Sequence, residues 1–306
     1  MKKTNFFYFL IIIIIIIFCS YHYFSLDNCF ISMWDTRNEG VSNSTQLKLP
    51  LEKGGNYNFT IDWGDGCYDN ISFWNQSEII HNYKKEGIYI IKIDGIISGW
   101  RFNNQEDQLK IISIFNWGSL NLGNNGSYFS GARNLKLLDN LDPLNLKDTN
   151  NLSYMFFGAN YFNGNLSNWD VSNVINMSHM FRWSDFDNDL SNWDVSNVID
   201  MSHMFVWSDF DNDLSNWDVS NVIDMSHMFE GSRFNGNLSN WNVSNVINMS
   251  YMFKNSRFNG NLSNWDVSNV IDMSHMFEGS RFNGNLSNWN IVNLTNTSNM
   301  FLLFNF

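Results

Sequence analysis

The sequence predicts a repeat solenoid preceded by a small β-sandwich and an N-terminal hydrophobic anchor. Six tryptophans recur every 24 residues: Trp169, Trp193, Trp217, Trp241, Trp265 and Trp289. Residues 190–205, 214–229 and 262–277 are identical to one another. A fixed period of this size indicates stacked units that bury their apolar faces only against their neighbours.

The N-terminus predicts a membrane anchor. Two lysines precede an apolar run, residues 6–19, that contains seven consecutive isoleucines. This order is typical of a secretory signal or a signal anchor whose lysines stay inside. No small-x-small cleavage site follows, so residues 1–26 are interpreted as an uncleaved anchor, a transmembrane helix that contacts the membrane through residues 6–24. The rest of the chain would then be extracellular or surface-exposed. Lipidation at Cys19 is the alternative.

Residues 27–112 predict several short antiparallel strands. Runs rich in β-formers are separated by Gly, Asn and Pro: Thr45–Leu51, Tyr57–Trp63, Ile79–Tyr83 and Ile88–Ile93. The Asp65-Gly66 pair is a strong hairpin signal. This pattern favours a small β-sandwich. Cys29 and Cys67 would be able to form one disulfide in an oxidising exterior, and the sequence leaves that pairing open.

Three segments of this region resemble the PKD-type immunoglobulin-like sandwich. They are the I-D-W-G-D-G run at 61–66, the H-N-Y run at 81–83 and the G-I-Y run at 87–89. The resemblance implies a PKD-like β-sandwich in which the Asp-Gly pair makes a turn and Trp63 and Tyr83 belong to the core.

One unit of the repeat, residues 238–261, illustrates the expected local structure. Its apolar positions are Leu238, Trp241, Val243, Val246, Met249, Met252, Phe253 and Phe258. The L-x-x-W-x-V beginning matches the L-x-x-L-x-L of leucine-rich repeats and predicts a short strand over 240–243. The following N-cap residue and apolar spacing predict one helical turn. The sequence therefore predicts a leucine-rich-repeat-type solenoid, with a short strand plus a helical turn per 24 residues, in about eight repeats over residues 113–306.

The repeat phrase also carries a family resemblance. The pattern W-D-V-S-N-V-x-D-M-S-x-M-F follows the F-I-S-M-W-D-T segment at 30–36 and the I-D-W-G-D-G run at 61–66. This combination resembles BspA-type leucine-rich-repeat surface proteins, whose repeat also occurs in mycoplasma-type lipoproteins. The resemblance implies an exported or surface-exposed protein with a role in adhesion or host interaction.

Charge and repetition narrow the function classes. The net charge is -12, and residues 160–306 hold 15 Asp/Glu against 5 Lys/Arg. An acidic surface repels phosphate backbones, so nucleic acid is not an expected partner. Stacked copies present ladders of identical side chains rather than one catalytic constellation, so neither an enzyme nor a cofactor is predicted.

We therefore expect a membrane-anchored surface recognition or adhesion protein that binds a protein or glycan on another surface. The candidate binding face comprises Asp170, Asp194, Asp218, Asn242, Asp266, Trp183 and Trp207. The alternative is a carbohydrate-binding surface module, which the aromatic rings of Trp183 and Trp207 beside acidic side chains would favour.

One histidine column and two acidic runs resemble metal sites. His179, His203, His227 and His275 share one position of the repeat, but no second ligand type joins them, so the favoured interpretation is a solvated or packing column. The acidic runs 185–189 and 209–213 resemble the start of a calcium loop but lack its glycine and final glutamate. No metal site is predicted, and a weak calcium site shared by the two runs stays open.

A column of asparagines from Asn173 to Asn293 is interpreted as a structural ladder.

Overall fold

A computed structural model describes residues 28–137 and 141–302. Its strands are β1 Phe30–Asp35, β2 Gln46–Lys48, β3 Leu51–Asp62, β4 Tyr68–Ile71, β5 Ile80–Asn82, β6 Ile88–Trp100, β7 Ile111–Asn116, β8 Leu120–Asn121 and β9 Lys136–Leu137. A short 3-10 turn at Ser77–Ile79 precedes β5, and the described residues contain no α-helix.

Seven of the strands form one mixed sheet. Its order is β4-β3-β6-β1-β7-β9, with β8 paired to β6, while β2 and β5 form a separate two-stranded sheet. The long strands β3 and β6 are antiparallel, with Ile61 opposite Ile93. Both of these isoleucines are fully buried, as are Trp34, Trp63 and Trp100. Branched and aromatic side chains suit such a pleated, packed surface. The strand runs predicted from the sequence overlap β2, β3, β5 and β6.

The sheet leads directly into the repeats. The strands β8 and β9 join it in parallel, through β6 and β7 respectively. The rings of Trp117 and Trp169 lie 5.8 Å apart, and those of Phe129 and Phe156 lie 6.1 Å apart. One continuous hydrophobic core therefore extends from the sheet through the stacked units. The sheet covers the first unit of the stack and excludes water from its apolar side.

Each 24-residue unit, called a rung below, is built from tight turns. In the rung that begins at Leu214, the Trp217 amide donates to the Leu214 carbonyl at 3.1 Å. Two hydrogen bonds of the same kind follow along the rung. The Val222 amide donates to the Val219 carbonyl at 3.0 Å, and the Met228 amide donates to the Met225 carbonyl at 3.2 Å. These are β-turn hydrogen bonds. They bring the apolar side chains of the rung to its inside, and all eight apolar positions predicted for the rung at 238–261 are buried.

Backbone hydrogen bonds tie each rung to the next. The amides of Met225, His227 and Phe229 donate to carbonyls of the following rung, at 3.0, 2.8 and 2.9 Å. On the opposite side of this segment the Ile223 amide donates to the Ile199 carbonyl of the preceding rung at 2.8 Å. Between these two sets of hydrogen bonds, one residue of each rung forms a parallel β-bridge with its equivalent in the next rung, as Asp200 does with Asp224. Because alternate amides are satisfied between rungs, no regular strand or helix is needed within one.

The predicted leucine-rich-repeat solenoid, with a short strand plus a helical turn per unit, is wrong. A helical turn requires consecutive right-handed residues, but His227 has φ of 59° and Gly231 has φ of 64°. The expected N-cap exists, since the Asp224 Oδ1 atom accepts from the Ser226 amide at 2.8 Å. It caps a tight turn instead of a helix. The expected strand over 240–243 is also absent from the described structure, where the Trp241 amide closes a turn on Leu238.

The predicted transmembrane helix has no counterpart in the described part of the chain. Within residues 28–137 and 141–302, no helix is long and apolar enough to cross a bilayer. The hydrophobic anchor predicted for residues 1–26 lies outside the described residues, as does Cys19. Among the described residues no disulfide joins Cys29 to Cys67, and the former is buried while the latter is exposed. The division of the chain at 112/113 stays a prediction.

Candidate binding surface

The predicted acidic column lies on the surface, with one residue in each rung. Its members are exposed: Asp170, Asp194, Asp218, Asn242 and Asp266. Each accepts a hydrogen bond from the serine two residues later, and the Asp194 Oδ1 atom lies 3.1 Å from the Ser196 amide and 2.6 Å from its hydroxyl. Such serine hydrogen bonds hold the pKa of Asp170, Asp218 and Asp266 below its ordinary value. These carboxylates are therefore ionised at neutral pH and cap their own turns.

Trp183 and Trp207 occupy one position in adjacent rungs and are 44% and 55% exposed. Other rungs carry glycine or asparagine there: Gly158, Gly231, Asn255 and Gly279. The φ angles of the two tryptophans, 58° and 52°, are left-handed. The same left-handed conformation recurs in the rungs, for example at His203 and Tyr251, so it belongs to the turns of the repeat. The two tryptophans differ from their equivalents in placing a large indole on the surface.

The surroundings of these indoles form an open aromatic patch. The Arg182 guanidinium lies 4.6 Å from the centroid of the Trp183 ring, and the Phe157 ring lies 5.2 Å away. The Trp207 ring covers Gly231, where an added Cβ would come within 2.5 Å of the indole. Two residues after Trp183, Asp185 lines a cleft of about 720 Å³. Burial and repulsion by Asp209 raise the pKa of the Asp185 carboxyl.

A second surface runs along the stack. It is an open groove of about 820 Å³, lined by Asn197, Ile199, Asn221, Ile223, Asn245, Ile247, Asn269, Ile271, Asn293 and Thr295. The isoleucines of this column, from Ile175 to Ile271, are 41 to 46% exposed. Beside them, the side-chain amide of each asparagine donates to the serine carbonyl of the preceding rung, as from Asn221 to Ser196 at 2.7 Å. The asparagine ladder predicted from the sequence is confirmed.

Sequence reasoning missed this groove. The isoleucine position is filled in every central rung, yet the packing assignment of the unit 238–261 left Ile247 without a place in the core. An apolar residue that recurs at a fixed position without a core role was the available signal, because exposed apolar rows mark interaction sites.

The side chains of the histidine column form a stack of rings. The imidazoles of His179 and His203 lie 4.2 Å apart, as do those of His203 and His227. Tyr251 continues the stack at 4.3 Å from His227. Burial, adjacent histidines and the Arg182 guanidinium lower the pKa of His179 to about 3, and burial, His227 and Arg182 lower the pKa of His203 to about 4. Both rings are therefore neutral at physiological pH.

This stack predicts a loss of stability in mild acid. Unfolded histidines titrate near about 6.5, whereas folded His179 and His203 resist protonation to about 3 and about 4. Between those values the unfolded chain binds more protons, so the free energy of unfolding should fall as pH drops from 7 to 5. Thermal unfolding at the two pH values measures this fall. The variant H179Y/H203Y, which copies Tyr251, should keep the stack and show a smaller fall; an equal fall would contradict the assignment.

The two acidic runs are engaged between rungs. The Asp187 Oδ1 atom accepts from the Asp211 amide and from the Asn212 side chain, both at 2.9 Å. In turn the Asp211 Oδ1 atom accepts from the Asn235 amide at 2.8 Å. These carboxylates therefore extend the inter-rung ladder. Neither run supplies a group of three metal-ligand side chains among residues 28–137 and 141–302.

Comparison with known proteins gives one family. A family model described as "Mycoplasma protein of unknown function, DUF285" matches residues 100–209, 123–233 and 206–305. These segments together cover the last strands of the sheet and all of the rungs. No protein of curated function and no solved structure matches the chain.

Proposed function

We propose that this chain, which belongs to the DUF285 family of mycoplasma proteins, is a surface recognition or adhesion protein whose groove binds an extended segment of a partner polypeptide. The observation that carries the proposal is the exposed isoleucine column with its parallel row of asparagines. This column continues across five rungs, from Ile175 to Ile271.

The chemistry of the groove favours a polypeptide. Its lining is uncharged and consists of isoleucine, asparagine and one threonine. An asparagine side chain has two N–H donors and an acceptor oxygen. Since one N–H is committed to the preceding rung, the remaining donor and acceptor can pair with a partner's peptide groups. The isoleucine row supplies apolar contact for its side chains. The asparagine row thus suits the peptide groups of a partner polypeptide, and the isoleucine row suits its alkyl side chains.

The backbone ladder supports this role, because a rigid surface loses little conformational entropy on binding. The proposal places residues 28–302 on the outside, with residues 6–24 as the part of the chain that contacts the membrane. Protease applied to intact cells should degrade the rungs. A chain that stays protected until the cells are lysed would contradict export.

A second candidate function is carbohydrate binding at the aromatic patch. Two exposed indoles in successive rungs offer flat apolar faces, and a cleft lined by Asp185, Tyr161 and Asn163 adjoins them. Sugar rings present apolar faces to aromatics and hydroxyls to carboxylates and amides. The patch and the groove occupy different positions in the rung, so their roles separate experimentally.

The two candidate functions predict that different variants lose binding. Full-length protein in detergent is applied to immobilised extracellular-matrix proteins and to a glycan array. The variant I223K/I247K puts two charges in the groove and should weaken binding to a matrix protein by about tenfold or more. I96K serves as control, because Ile96 is 51% exposed on β6, away from the groove, and it should bind as wild type.

Two outcomes overturn the groove assignment. One is equal binding by wild type, I96K and I223K/I247K to the matrix protein. The other is binding to glycans alone that W183A/W207A abolishes, which would establish the carbohydrate candidate instead.

A further inference from the structure

A mixed set of side chains meets where the β3–β4 hairpin approaches β5. The possible ligand atoms of Asp65, Cys67 and His81 all lie within 4.8 Å of one another. Among the described residues this is the only group of three or more metal-ligand side chains so placed. It combines a carboxylate, a thiol and an imidazole, none of which the proposed binding surface uses.

The imidazole of His81 has a fixed direction. Its ring stacks on Trp63 with centroids 4.7 Å apart and planes 9° from parallel. The Tyr83 ring lies nearly perpendicular to it, with centroids 4.6 Å apart. The His81 backbone pairs with Leu47 of β2. These contacts direct the Nε2 atom at Asp65, 3.0 Å from Oδ2. A preoriented ring of this kind is what a metal site requires.

The hairpin turn fixes the other two side chains. The Trp63 amide donates to the Cys67 carbonyl at 3.2 Å, and the Cys67 amide donates to Asp65 Oδ1 at 3.0 Å. Gly64 and Gly66 have φ of 79° and 91°, which closes the loop tightly. Cys67 and Asp65 are exposed, so a cation can reach them from solvent. A hydrogen bond to Asp65 raises the pKa of the Cys67 thiol.

We propose that Asp65, Cys67 and His81 form a binding site for one divalent transition-metal ion of the zinc class, with the fourth position open to water. Thiolate, imidazole and carboxylate are the zinc ligands of proteins. Tetrahedral zinc with bonds of about 2.0 to 2.3 Å needs ligand atoms about 3.3 to 3.8 Å apart, a spacing that small side-chain rotations reach here. Calcium, which takes six to eight oxygens, does not suit this set.

Binding has two consequences. The Cys67 thiol must lose its proton to bind as a thiolate, so each bound ion releases one proton to solvent. The ion also links the hairpin of the seven-stranded sheet to β5 of the two-stranded sheet. It should therefore raise the unfolding temperature of the chain, because the unfolded chain does not hold the three ligands together.

Cobalt(II) is the probe, since a thiolate-to-cobalt charge-transfer absorption reports the sulfur ligand directly. Full-length protein in detergent, kept reduced, should bind one cobalt ion with this absorption, and zinc should displace it. C67S should remove the absorption and weaken binding roughly a hundredfold or more. C67H keeps a zinc ligand and should retain binding without the absorption. E78Q, which changes an exposed carboxylate in the 3-10 turn before β5 and outside the cluster, should match wild type.

Either of two results overturns the site. The first is a charge-transfer absorption that survives in C67S. The second is equal cobalt affinity in wild type, C67S and C67H, which would mean that ions bind only the acidic rungs. Unfolding temperatures measured with and without zinc test the same point independently, since only wild type, E78Q and C67H should gain stability.

Discussion

Deleting residues 226–237 should unfold the repeat array, whereas deleting the whole rung 214–237 should leave it folded. The longer deletion joins Asp213 to Leu238, a junction equivalent to that between Asp213 and Leu214. The inter-rung backbone partners are then replaced by equivalent ones from residues 238–261, whose apolar core positions are the same as those of residues 214–237. The energy of such an array is approximately a sum of rungs and interfaces, so losing one interior rung removes only one term.

The shorter deletion removes half of a rung. The amides of His227, Phe229 and Gly231, which donate to Ser250, Met252 and Lys254, are lost. The deletion also removes the Phe229 ring, which stacks between Phe205 and Phe253 with its centroid 5.7 Å from each of theirs. The carbonyls of Ser250, Met252 and Lys254 thus lose their donors, and a buried acceptor left without a donor costs about 1 to 3 kcal/mol. The missing ring leaves a cavity.

Thermal unfolding and amide hydrogen exchange on the two deletion proteins give the answer. A cooperative transition is expected for the 24-residue deletion and none for the rungs after the 12-residue deletion. If both proteins lost their cooperative transition, the additive stack of equivalent rungs would be contradicted.

Trp241→Ala should lower the free energy of unfolding by about 3 to 5 kcal/mol. The indole is 3% exposed and stacks 6.5 Å from Trp217. Its Nε1 atom also donates to the Leu214 carbonyl of the preceding rung at 2.9 Å, so truncation leaves both a cavity and a buried acceptor without this donor. The matched control is Trp207→Ala, which removes an exposed indole and should change stability by no more than about 1 kcal/mol.

The damage should also be local. Rungs contact only their neighbours, so faster hydrogen exchange in Trp241→Ala should centre on residues 214–265. Exchange in residues 30–95 should be unchanged. A uniform rise across both regions, or equal effects of the two alanine variants, would contradict the packing assigned to Trp241.

The sequence predicted which side chains are buried in the rungs, because burial follows the 24-residue period directly. It also predicted the asparagine ladder, since a polar residue required in every rung must satisfy backbone groups. The sequence did not determine the local backbone conformation of the rungs. Asp224 followed by apolar residues is compatible with a helix start and with a capped turn, and the choice depends on the left-handed φ of His227. That angle is stabilised by hydrogen bonds to the next rung, which no single unit reveals.

The binding surfaces were predictable to different degrees. Trp183 and Trp207 were predicted as candidates because their aromatic rings lie beside acidic residues in the sequence. The groove depends on Ile223 and its equivalents lying outward, which only the turn geometry decides. The cluster of Asp65, Cys67 and His81 depends on β5 crossing the β3–β4 hairpin, a long-range contact between residues that are 14 and 16 positions apart in sequence.

One NMR measurement tests most directly the helix-free ladder on which this account of the rungs depends. The Gly231 amide donates to the Lys254 carbonyl of the next rung at 2.7 Å. Protein labelled with nitrogen-15 in glycine and carbon-13 in the lysine carbonyl should show a scalar coupling across this hydrogen bond. The directly bonded Lys53–Gly54 pair is the internal positive control. A coupling between the Gly231 amide and the Lys254 carbonyl is predicted. If that coupling is absent, and histidine-labelled protein instead shows a coupling from the Gly231 amide to the His227 carbonyl, the segment forms a helical turn and the helix-free ladder is contradicted.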